Sequence, residues 1–461
     1  LQIVETMHKK NISTEKSLIV CGSGNNGGDG FAVARLLTEQ GKHADVLFAG
    51  KEASLSEECR CQKQIVENMG ISVFTEFPDE EYTVIIDAVF GVGLCREITG
   101  HYKDVIDWMN LQDAEKVAVD IPSGICAATG KILGTAFRAD LTVCMACVKL
   151  GCELFPGKSY AGESIPVAIG IDPKYFSNRL DVCYTFDKND LGKLLPSRMM
   201  NSHKGSYGKV LIIAGNETMS GAACFAAEAA LRMGAGLVKV LSDVQNRSVL
   251  QTKLPEILFG ERKDLKESLN WCDCILFGPG IGVSEETKEM LEMILEEGTK
   301  PLVIDADGLN TISRYDMEIN YPYGLILTPH LMEASRLMSC DIMQMKEDLC
   351  QNAYELAKKY HCIAVLKDAA TIVAQEGDLV YINQSGNDGM ATGGSGDVLA
   401  GMITGLLGGG LAAHEAAVHG VYLHGLAGDH ARCDLGAYSM IASDIITHIK
   451  DVTGGSYESV L

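Results

Sequence analysis

The sequence predicts an α/β protein of two domains, each built on a parallel sheet with helices on both faces. Short runs rich in Val, Ile and Leu alternate with amphipathic segments along the whole chain, the pattern of strands buried on both sides. That rhythm breaks between Asp187 and Lys209, where the polar stretch DKNDLGKLLPSRMMNSHKGSYGK contains Pro196 and lacks a strong period. The 461 residues suffice for two such domains, which often run past about 200 residues each. The division is expected between residues 184 and 185, close to Phe186, giving domains 1–184 and 185–461.

In the first domain, strands are predicted at Ser17–Cys21, Ala44–Phe48, Ile71–Phe74, Val84–Ala88, Lys116–Asp120, Leu141–Cys147 and Ile165–Ile169. An amphipathic helix is predicted over Leu55–Met69. The second domain begins with a strand at Val210–Ala214, a helix of small residues at Gly221–Met233 and strands at Leu237–Leu241 and Cys274–Phe277. A helix at Ser284–Glu297 follows, then strands at Leu302–Ile304, Leu325–Leu327, Ile363–Leu366, Thr371–Ala374 and Leu379–Ile382. No short fixed repeat is visible, which excludes a solenoid.

Apolar residues make up 47% and charged residues 22%, a globular composition that excludes disorder, collagen and coiled coil. Acidic residues number 61 against 39 basic ones, a net charge of −22 that repels nucleic acid and anionic membranes. A local basic pocket for a small phosphate ligand is still compatible with it. The longest uncharged stretch, Val398–Ala413, is interrupted by Gly408-Gly409-Gly410 and too short for a membrane span. The 16 cysteines are scattered, several in apolar runs (Cys144, Cys147, Cys272, Cys274), and Cys59 with Cys61 lacks a partner pair at zinc spacing. Reduced thiols in a cytoplasmic protein are the expectation. The chain starts at Leu1 rather than Met and without a secretory leader, so residues are expected upstream.

Chemistry concentrates where strands end. The first strand runs into Gly22–Gly30 (GSGNNGGDG) and a helix beginning near Phe31. Glycines admit a ligand close to the backbone, and the free N–H groups of a helix start attract phosphate. Gly22-Ser-Gly24-Asn-Asn-Gly27 formally matches a dinucleotide fingerprint, but the next strand ends Phe48-Ala49-Gly50 without the acid a ribose needs. Asn25, Asn26 and Asp29 among the glycines point to a polar ligand. Asp87 and Asp120 end two further strands, and with Ser123 and Asn26 they form an oxygen-donor set that suits a hard cation, including a monovalent one. The alternative is that each Asp caps the turn after it.

The densest signal lies at Gly386–Asp397 (GNDGMATGGSGD), followed by VLAGMITGLL. A glycine loop opening a helix makes an anion hole, and Asp397 sits where a carboxylate takes a proton from a hydroxyl facing a bound phosphate. A flexible loop without function is the alternative. A Walker loop is absent, because Cys152 stands where the first Gly before Gly157-Lys158-Ser159 should be. Further polar strand ends are Gly278–Gly282, Asp305–Asn310, Thr328–His330 and Leu366–Asp368. Lys367 is either a phosphate ligand or a solvated lysine, and His330, with Glu333 behind it, is a substrate contact or a structural histidine. His414 and His419 are five apart, which excludes the helical zinc pair.

The motifs NNGGDG (Asn25–Gly30), DAVFGVGL (Asp87–Leu94) and VDIPSG (Val119–Gly124) resemble the NAD(P)H-hydrate epimerase domain over Leu1 to Ile171. The resemblance implies that Asn25, Asn26, Gly27, Gly28 and Asp29 hold the hydrated nicotinamide nucleotide. The loop Gly91, Val92, Gly93, Leu94, Cys95, Arg96 and Glu97 would share that contact with Asp120. It further implies K⁺ on Asn26, Asp87 and Ser123, with Asp120 as the acid/base group. Family members usually carry a longer helical lead before the first strand.

HKGSYGKVLIIAGN (His203–Asn216), GPGIG, DADGLN, TPH and GNDGMATGGSGDVLAG resemble the nucleotide-dependent NAD(P)H-hydrate dehydratase from about Asn201 onward. The fold class is then an N-terminal Rossmann-like three-layer domain plus a C-terminal ribokinase-like α/β domain. By resemblance, Ala222, Gly282, His330 and Asp397 contact the hydrate. Lys367, Asp368, Ala369, Ala370 and Thr371 would bind the nucleotide together with Asn387, Thr392, Gly393, Gly394, Ser395 and Gly396. Asp368 stands where the family usually has Gly, and its charge is expected to weaken nucleotide binding or alter the preference. ADP or ATP with Mg²⁺ is the implied phosphate donor, ADP being the one associated with the fused form.

The implied task is repair of hydrated NADH and NADPH. The epimerase interconverts the R and S hydrates, and the dehydratase returns the S form to NAD(P)H. A homo-oligomer that binds neither nucleic acid nor membrane is expected. The alternatives are a ribokinase-like small-molecule kinase, and a dehydratase beside a noncatalytic scaffold domain.

Overall fold

The computed structural model describes residues 1–454 apart from 177, 178, 180 and 181. The chain divides into two compact units, Leu1–Asn178 and Arg179–Leu461.

The first unit holds β1 (Lys16–Cys21), β2 (His43–Phe48), β3 (Val73–Phe74), β4 (Val84–Ala88), β5 (Glu115–Val119), β6 (Leu141–Met145) and β7 (Glu163–Val167). They pair in the order β3-β2-β1-β4-β5-β6-β7, every pair parallel. In β1, Ile19 joins one core with Phe31, Val46 and Ile86, while Leu18 and Val20 join another with Ile85, Ile106 and Phe137. Two buried faces explain the unbroken apolar runs. Strand order reverses between β1 and β4, so their carboxyl ends open a crevice at the switch point. The helix expected at Leu55–Met69 spans Glu57–Asn68, begun by Ser56, whose hydroxyl accepts the Cys59 N–H at 3.2 Å.

The second unit holds β8 (Lys209–Ile213), β9 (Leu237–Ser242), β10 (Leu258–Glu261), β11 (Cys274–Phe277), β12 (Leu302–Ile304), β13 (Leu325–Leu327), β14 (Ile363–Leu366), β15 (Ile372–Ala374) and β16 (Tyr381–Ile382). The order is β10-β9-β8-β11-β12-β13-β14-β15-β16. The pairs from β10 to β14 are parallel, and β14-β15-β16 are antiparallel. The reversal corrects the purely parallel expectation. Only 367–371 separates β14 from β15, too short a link for the crossover that a parallel pair needs. The edge strand β10 was not predicted, since its residues are exposed or half-buried and give no apolar run.

Behind the sheet, helix Ser220–Arg232 lies against helix Ser395–Gly408. A Cβ built on Gly401 would come 2.3 Å from the Ala226 carbonyl oxygen, and one on Gly405 2.9 Å from that of Ala230. These glycines let the two helices approach backbone to backbone. Among the described residues no helix is long and apolar enough to cross a membrane, and all 16 cysteines are free thiols.

Candidate active sites

In the first unit, the Gly22 N–H donates to the Ala88 carbonyl at 3.0 Å, joining the ends of β1 and β4. A Cβ on Gly22 would meet the Val89 oxygen at 2.0 Å, and one on Gly27 the Gly22 oxygen at 2.0 Å. Only glycine fits this turn. The helix it opens, Asn25–Glu39, has Gly24 before it and no side-chain cap, so its first N–H groups stay available. Gly28 is buried behind that turn. Asn25 is exposed and Asn26 half-buried, with the Asn26 Nδ2 unpartnered.

Asp87 is fully buried at the end of β4. It accepts the Ser123 N–H at 2.7 Å, the Ser123 hydroxyl at 2.7 Å and the Val89 N–H at 3.1 Å. Burial nevertheless pushes its carboxyl up to about 6. The Ser123 oxygen in turn accepts the Phe90 N–H at 2.8 Å. Asn26 lies against the start of the next loop, 3.3 Å from where a Gly91 Cβ would be. Beyond it, Val92, Gly93, Cys95, Arg96 and Glu97 are exposed and Leu94 is half-buried.

Asp120 follows β5 in a left-handed conformation, φ 69°, fixed by its N–H to the Val143 carbonyl at 2.9 Å. Its Oδ1 accepts the Met145 N–H at 2.8 Å and the Lys149 ammonium. Lys149 also donates to the carbonyls of Met145 at 2.8 Å and Cys147 at 3.2 Å. The carboxyl of Asp29, on an exposed residue, is raised by partial desolvation and then by Asp120, which puts the two acids in one field.

In the second unit, the glycine loop hangs on Asp429. Its carboxylate accepts the Gly386 N–H at 3.0 Å and the Asn387 amide at 2.9 Å, while the Asn387 oxygen caps the next turn from Gly389 at 3.0 Å. Thr392 is half-buried and Gly393 exposed. After Gly394, at φ 95°, helix Ser395–Gly408 starts without a side-chain cap and carries Asp397 in its first turn. A Cβ on Gly396 would sit 3.3 Å from the Lys367 Nζ, so that ammonium lies directly beneath the loop.

Lys367 is held there by Asp305, 1% exposed, whose Oδ1 accepts the Lys367 ammonium at 2.7 Å and the Thr328 hydroxyl at 2.8 Å. Burial pushes the Asp397 carboxyl up to about 7, Asp305 adding to it and Lys367 opposing. Glu333 is likewise raised to about 7 by burial. His330 caps helix Leu331–Met338. Its Nδ1 accepts the N–H groups of Met332 at 3.1 Å and Glu333 at 3.2 Å, and its own N–H donates to Glu333 at 2.9 Å. An accepting Nδ1 requires a neutral ring protonated at Nε2, consistent with burial, then Lys367, lowering its pKa.

Gly282 donates its N–H to Asp307 at 2.9 Å and lies beside Asn216, while Ala222 touches Gly280 of the same loop. Asp368 and Ala369 are exposed in the β14–β15 turn and Ala370 is buried, with Thr371 donating to the Asp368 carbonyl at 3.2 Å.

Residues 210–451 match the family model for NAD(P)H-hydrate dehydratase, and residues 1–151 that for the YjeF-related protein N-terminus. The chain is 36% identical over 437 residues to the bifunctional NAD(P)H-hydrate repair enzyme Nnr of Coxiella burnetii, covering 94% of this chain and 89% of that protein. It is 36% identical to the enzyme of the same name from Escherichia coli K12, covering 94% and 84%. The chain belongs to the bifunctional NAD(P)H-hydrate repair enzymes.

Among solved structures, a ribokinase-like superfamily protein from Enterococcus faecalis V583 is similar at 31% identity and TM-score 0.54, covering 59% of this chain and 96% of that one. The ADP/ATP-dependent NAD(P)H-hydrate dehydratase of Bacillus subtilis, crystallised with ATP and Mg²⁺, is similar at 27% identity and TM-score 0.53, covering 58% and 96%. The second unit is ribokinase-like.

Within this repair enzyme, the sequence motifs converge as two groups. Asp87 touches Ser123 with Asn26 nearby, and Lys367 lies under Gly396 one residue from Asp397. Sequence reasoning missed Lys149, Asp429 and the roles of Asp305 and Thr328. Lys149 left a trace as a lone cation after the apolar strand β6, and Asp305 stood in a noted motif without a function. Asp429, on the long helix Ala413–Leu435, gave no signal.

Proposed function

We propose that the second unit transfers phosphate from ADP or ATP to the hydroxyl of the S hydrate of NADH or NADPH, with Asp397 as base. The observation that carries this reading is the placement of Asp397 in the first turn of the glycine-loop helix, with the Lys367 ammonium beneath Gly396. Phosphate would lie between N–H groups and ammonium, and the hydroxyl would face the carboxylate. Asp397 removes the hydroxyl proton, and the oxygen forms a bond to the terminal phosphorus as its bond to the nucleotide breaks. Phosphate then leaves the ring carbon with a proton from the adjacent carbon, and the double bond returns.

Lys367, Asp368, Ala369, Ala370 and Thr371 are assigned to the nucleotide with Asn387, Thr392, Gly393, Gly394, Ser395 and Gly396, while Ala222, Gly282 and His330 are assigned to the hydrate. The exposed Asp368 replaces the glycine usual in the family and favours the donor bearing fewer charges, ADP. Mg²⁺ is assigned to arrive with the nucleotide, bound to its phosphate oxygens.

For the first unit, the reading is that Asp120 shuttles the proton that lets the hydroxyl leave and re-enter on the other ring face. Its Oδ1 is held by Met145 and Lys149, while Oδ2 accepts no hydrogen bond from a described residue. Asn25, Gly27, Gly28, Asp29 and residues 91–97 are assigned to the hydrated nucleotide beside it. K⁺ on Asn26, Asp87 and Ser123 fits the donors. Among the described residues the buried Asp87 takes hydrogen bonds only from neutral groups, and a cation supplies the missing charge. Free thiols fit a cytoplasmic place of action, and the exposed group of Phe77, stacked on Trp108, and Leu111 fits self-association.

The test is recovery of reduced-nicotinamide absorbance from mixed hydrate epimers given ADP or ATP. Full recovery with stoichiometric nucleotide use is expected in K⁺, and recovery stalling near half when tetramethylammonium replaces it. No recovery with either nucleotide would sink the reading.

The pH dependence follows from Asp397. A base must be deprotonated, and its carboxyl is raised to about 7. Dehydration of the S hydrate is therefore expected to rise with pH through about 7 and level off above. A rate flat from pH 5.5 to 8 would assign the proton transfer elsewhere.

A further inference from the structure

We propose that Asp305 is a positioning residue for dehydration, dedicating Lys367 to the nucleotide phosphate and keeping that ammonium off Asp397. The inference rests on the dehydratase reading above and adds to it a residue which that reading assigns to neither substrate.

Three successive strand ends make the device. Asp305 follows β12, Thr328 follows β13 and Lys367 follows β14, and Asp305 Oδ1 accepts from both neighbours, at 2.8 Å and 2.7 Å. The Lys367 backbone is fixed too, its N–H donating to the Pro329 carbonyl at 2.8 Å. A flexible four-carbon side chain thereby has one address, 3.3 Å from where a Gly396 Cβ would be. An ammonium carries three protons. The contact with Asp305 uses one of them, so the others serve a phosphate above.

Competition among carboxylates makes this bracket necessary. Lys367 lies in the fields of Asp305, Glu333 and Asp397 together. Paired with Asp397, it would stabilise the carboxylate and lower its basicity, and would leave the phosphate cradle. Asp305 wins because it is buried at 1% exposure and preset by the Thr328 hydroxyl, whereas Asp397 is half-buried on a helix start. Asp305 therefore separates two tasks that one cation would otherwise merge.

The charged and titratable groups bearing on Asp397 and Lys367 are Asp305, Asp307 and Glu333 on one side. To these are added His330, the buried His424, whose pKa burial lowers to about 4, and Arg336, whose guanidinium acts on Glu333 and His330. Asp305 and Asp307 raise Asp397, and Lys367 lowers it.

The experiment compares wild type, Asp305→Asn, Lys367→Met and the double variant, with the S hydrate and ADP or ATP across pH 5.5–9. Asp305→Asn is expected to lower the plateau kcat about 100-fold, the scale of a displaced positioning contact. The rising limb should move to lower pH, since Asp397 loses a negative neighbour and gains the freed ammonium. At the plateau, the double variant should be no slower than Lys367→Met alone, because Asp305 acts through that lysine.

An unmoved limb, or losses that multiply in the double variant, would overturn the inference. So would an undiminished Asp305→Asn. Circular dichroism and the melting curve of the whole chain, set against wild type, report whether the second unit of the variant is folded, and if Asp305→Asn fails to fold, Thr328→Val poses the question more mildly. It should give a several-fold loss that vanishes in a Lys367→Met background, and a loss that persists there refutes the coupling. A wild-type chain inert toward the S hydrate would instead bring down the dehydratase reading itself.

Discussion

Asp397→Asn is expected to reduce regeneration of NAD(P)H from the S hydrate by about 10³-fold, with epimer exchange untouched. Loss of a positioned general base costs about 10² to 10⁴-fold. Asn keeps the size of the side chain and leaves the N–H groups of the glycine loop and the Lys367 ammonium in place, so nucleotide KM should change little while kcat collapses. The measurement is initial rates at saturating hydrate with ADP or ATP varied. A nucleotide KM that rises with kcat unchanged would make Asp397 a binding group.

The same variant should melt higher than wild type at pH 8. Asp397 has a folded pKa near 7 against an unfolded value near 3.8, so the folded state binds the extra proton between those values. The native carboxylate therefore lowers stability increasingly from about pH 4 to 7, fully above 7, and Asn removes that penalty.

Asp120→Asn is expected to slow epimer exchange by about 10² to 10⁴-fold, on the same ground. The amide oxygen can still accept from Met145 and Lys149, so the crevice should keep its shape. With mixed hydrates and excess nucleotide, absorbance should rise at the wild-type rate and stop when the S form is spent. A later addition of wild-type first-unit activity should release the rest. Complete recovery by Asp120→Asn, at times short against uncatalysed exchange, would show that another group moves the proton.

Five strands buried on both faces were legible to the residue, and others, such as β5 and β8, to within one. Val84–Ala88, Cys274–Phe277, Leu302–Ile304, Leu325–Leu327 and Ile363–Leu366 run as the apolar pattern draws them. Burial on two sides disfavours polar residues within the run, Asp87 near the carboxyl end of β4 being the exception, and this sharpens its ends. The edge strand β10 escaped because one neighbour makes no such demand. The glycine loops announced themselves through composition, since few residues but glycine tolerate that crowding.

Pairings were the illegible part. Lys149 reaches back 29 positions to Asp120, and Lys367 reaches back 62 to Asp305. Each depends on which strands become neighbours and in what register, a property of the folded sheet and not of either segment. His330 shows the mixed case. Its Glu333 partner lies within one helical turn, so the capping box was readable, whereas its place beside Lys367 came only with the β13–β14 pairing.

The contact of helix Ser395–Gly408 with helix Ser220–Arg232 bears on how this chain can change over time. Ala226 presses its backbone against Gly401, and Ala230 with the Met233 Cβ presses against Gly405, leaving no room to absorb a change in volume. The first turn of that helix carries Ser395, Gly396 and Asp397, so a methyl group added at the rear would be felt at the front. Mutational tolerance at these glycines is therefore tied to turnover as much as to melting temperature. A lineage that alters this seam must alter both helices together or lose the alignment of base and phosphate.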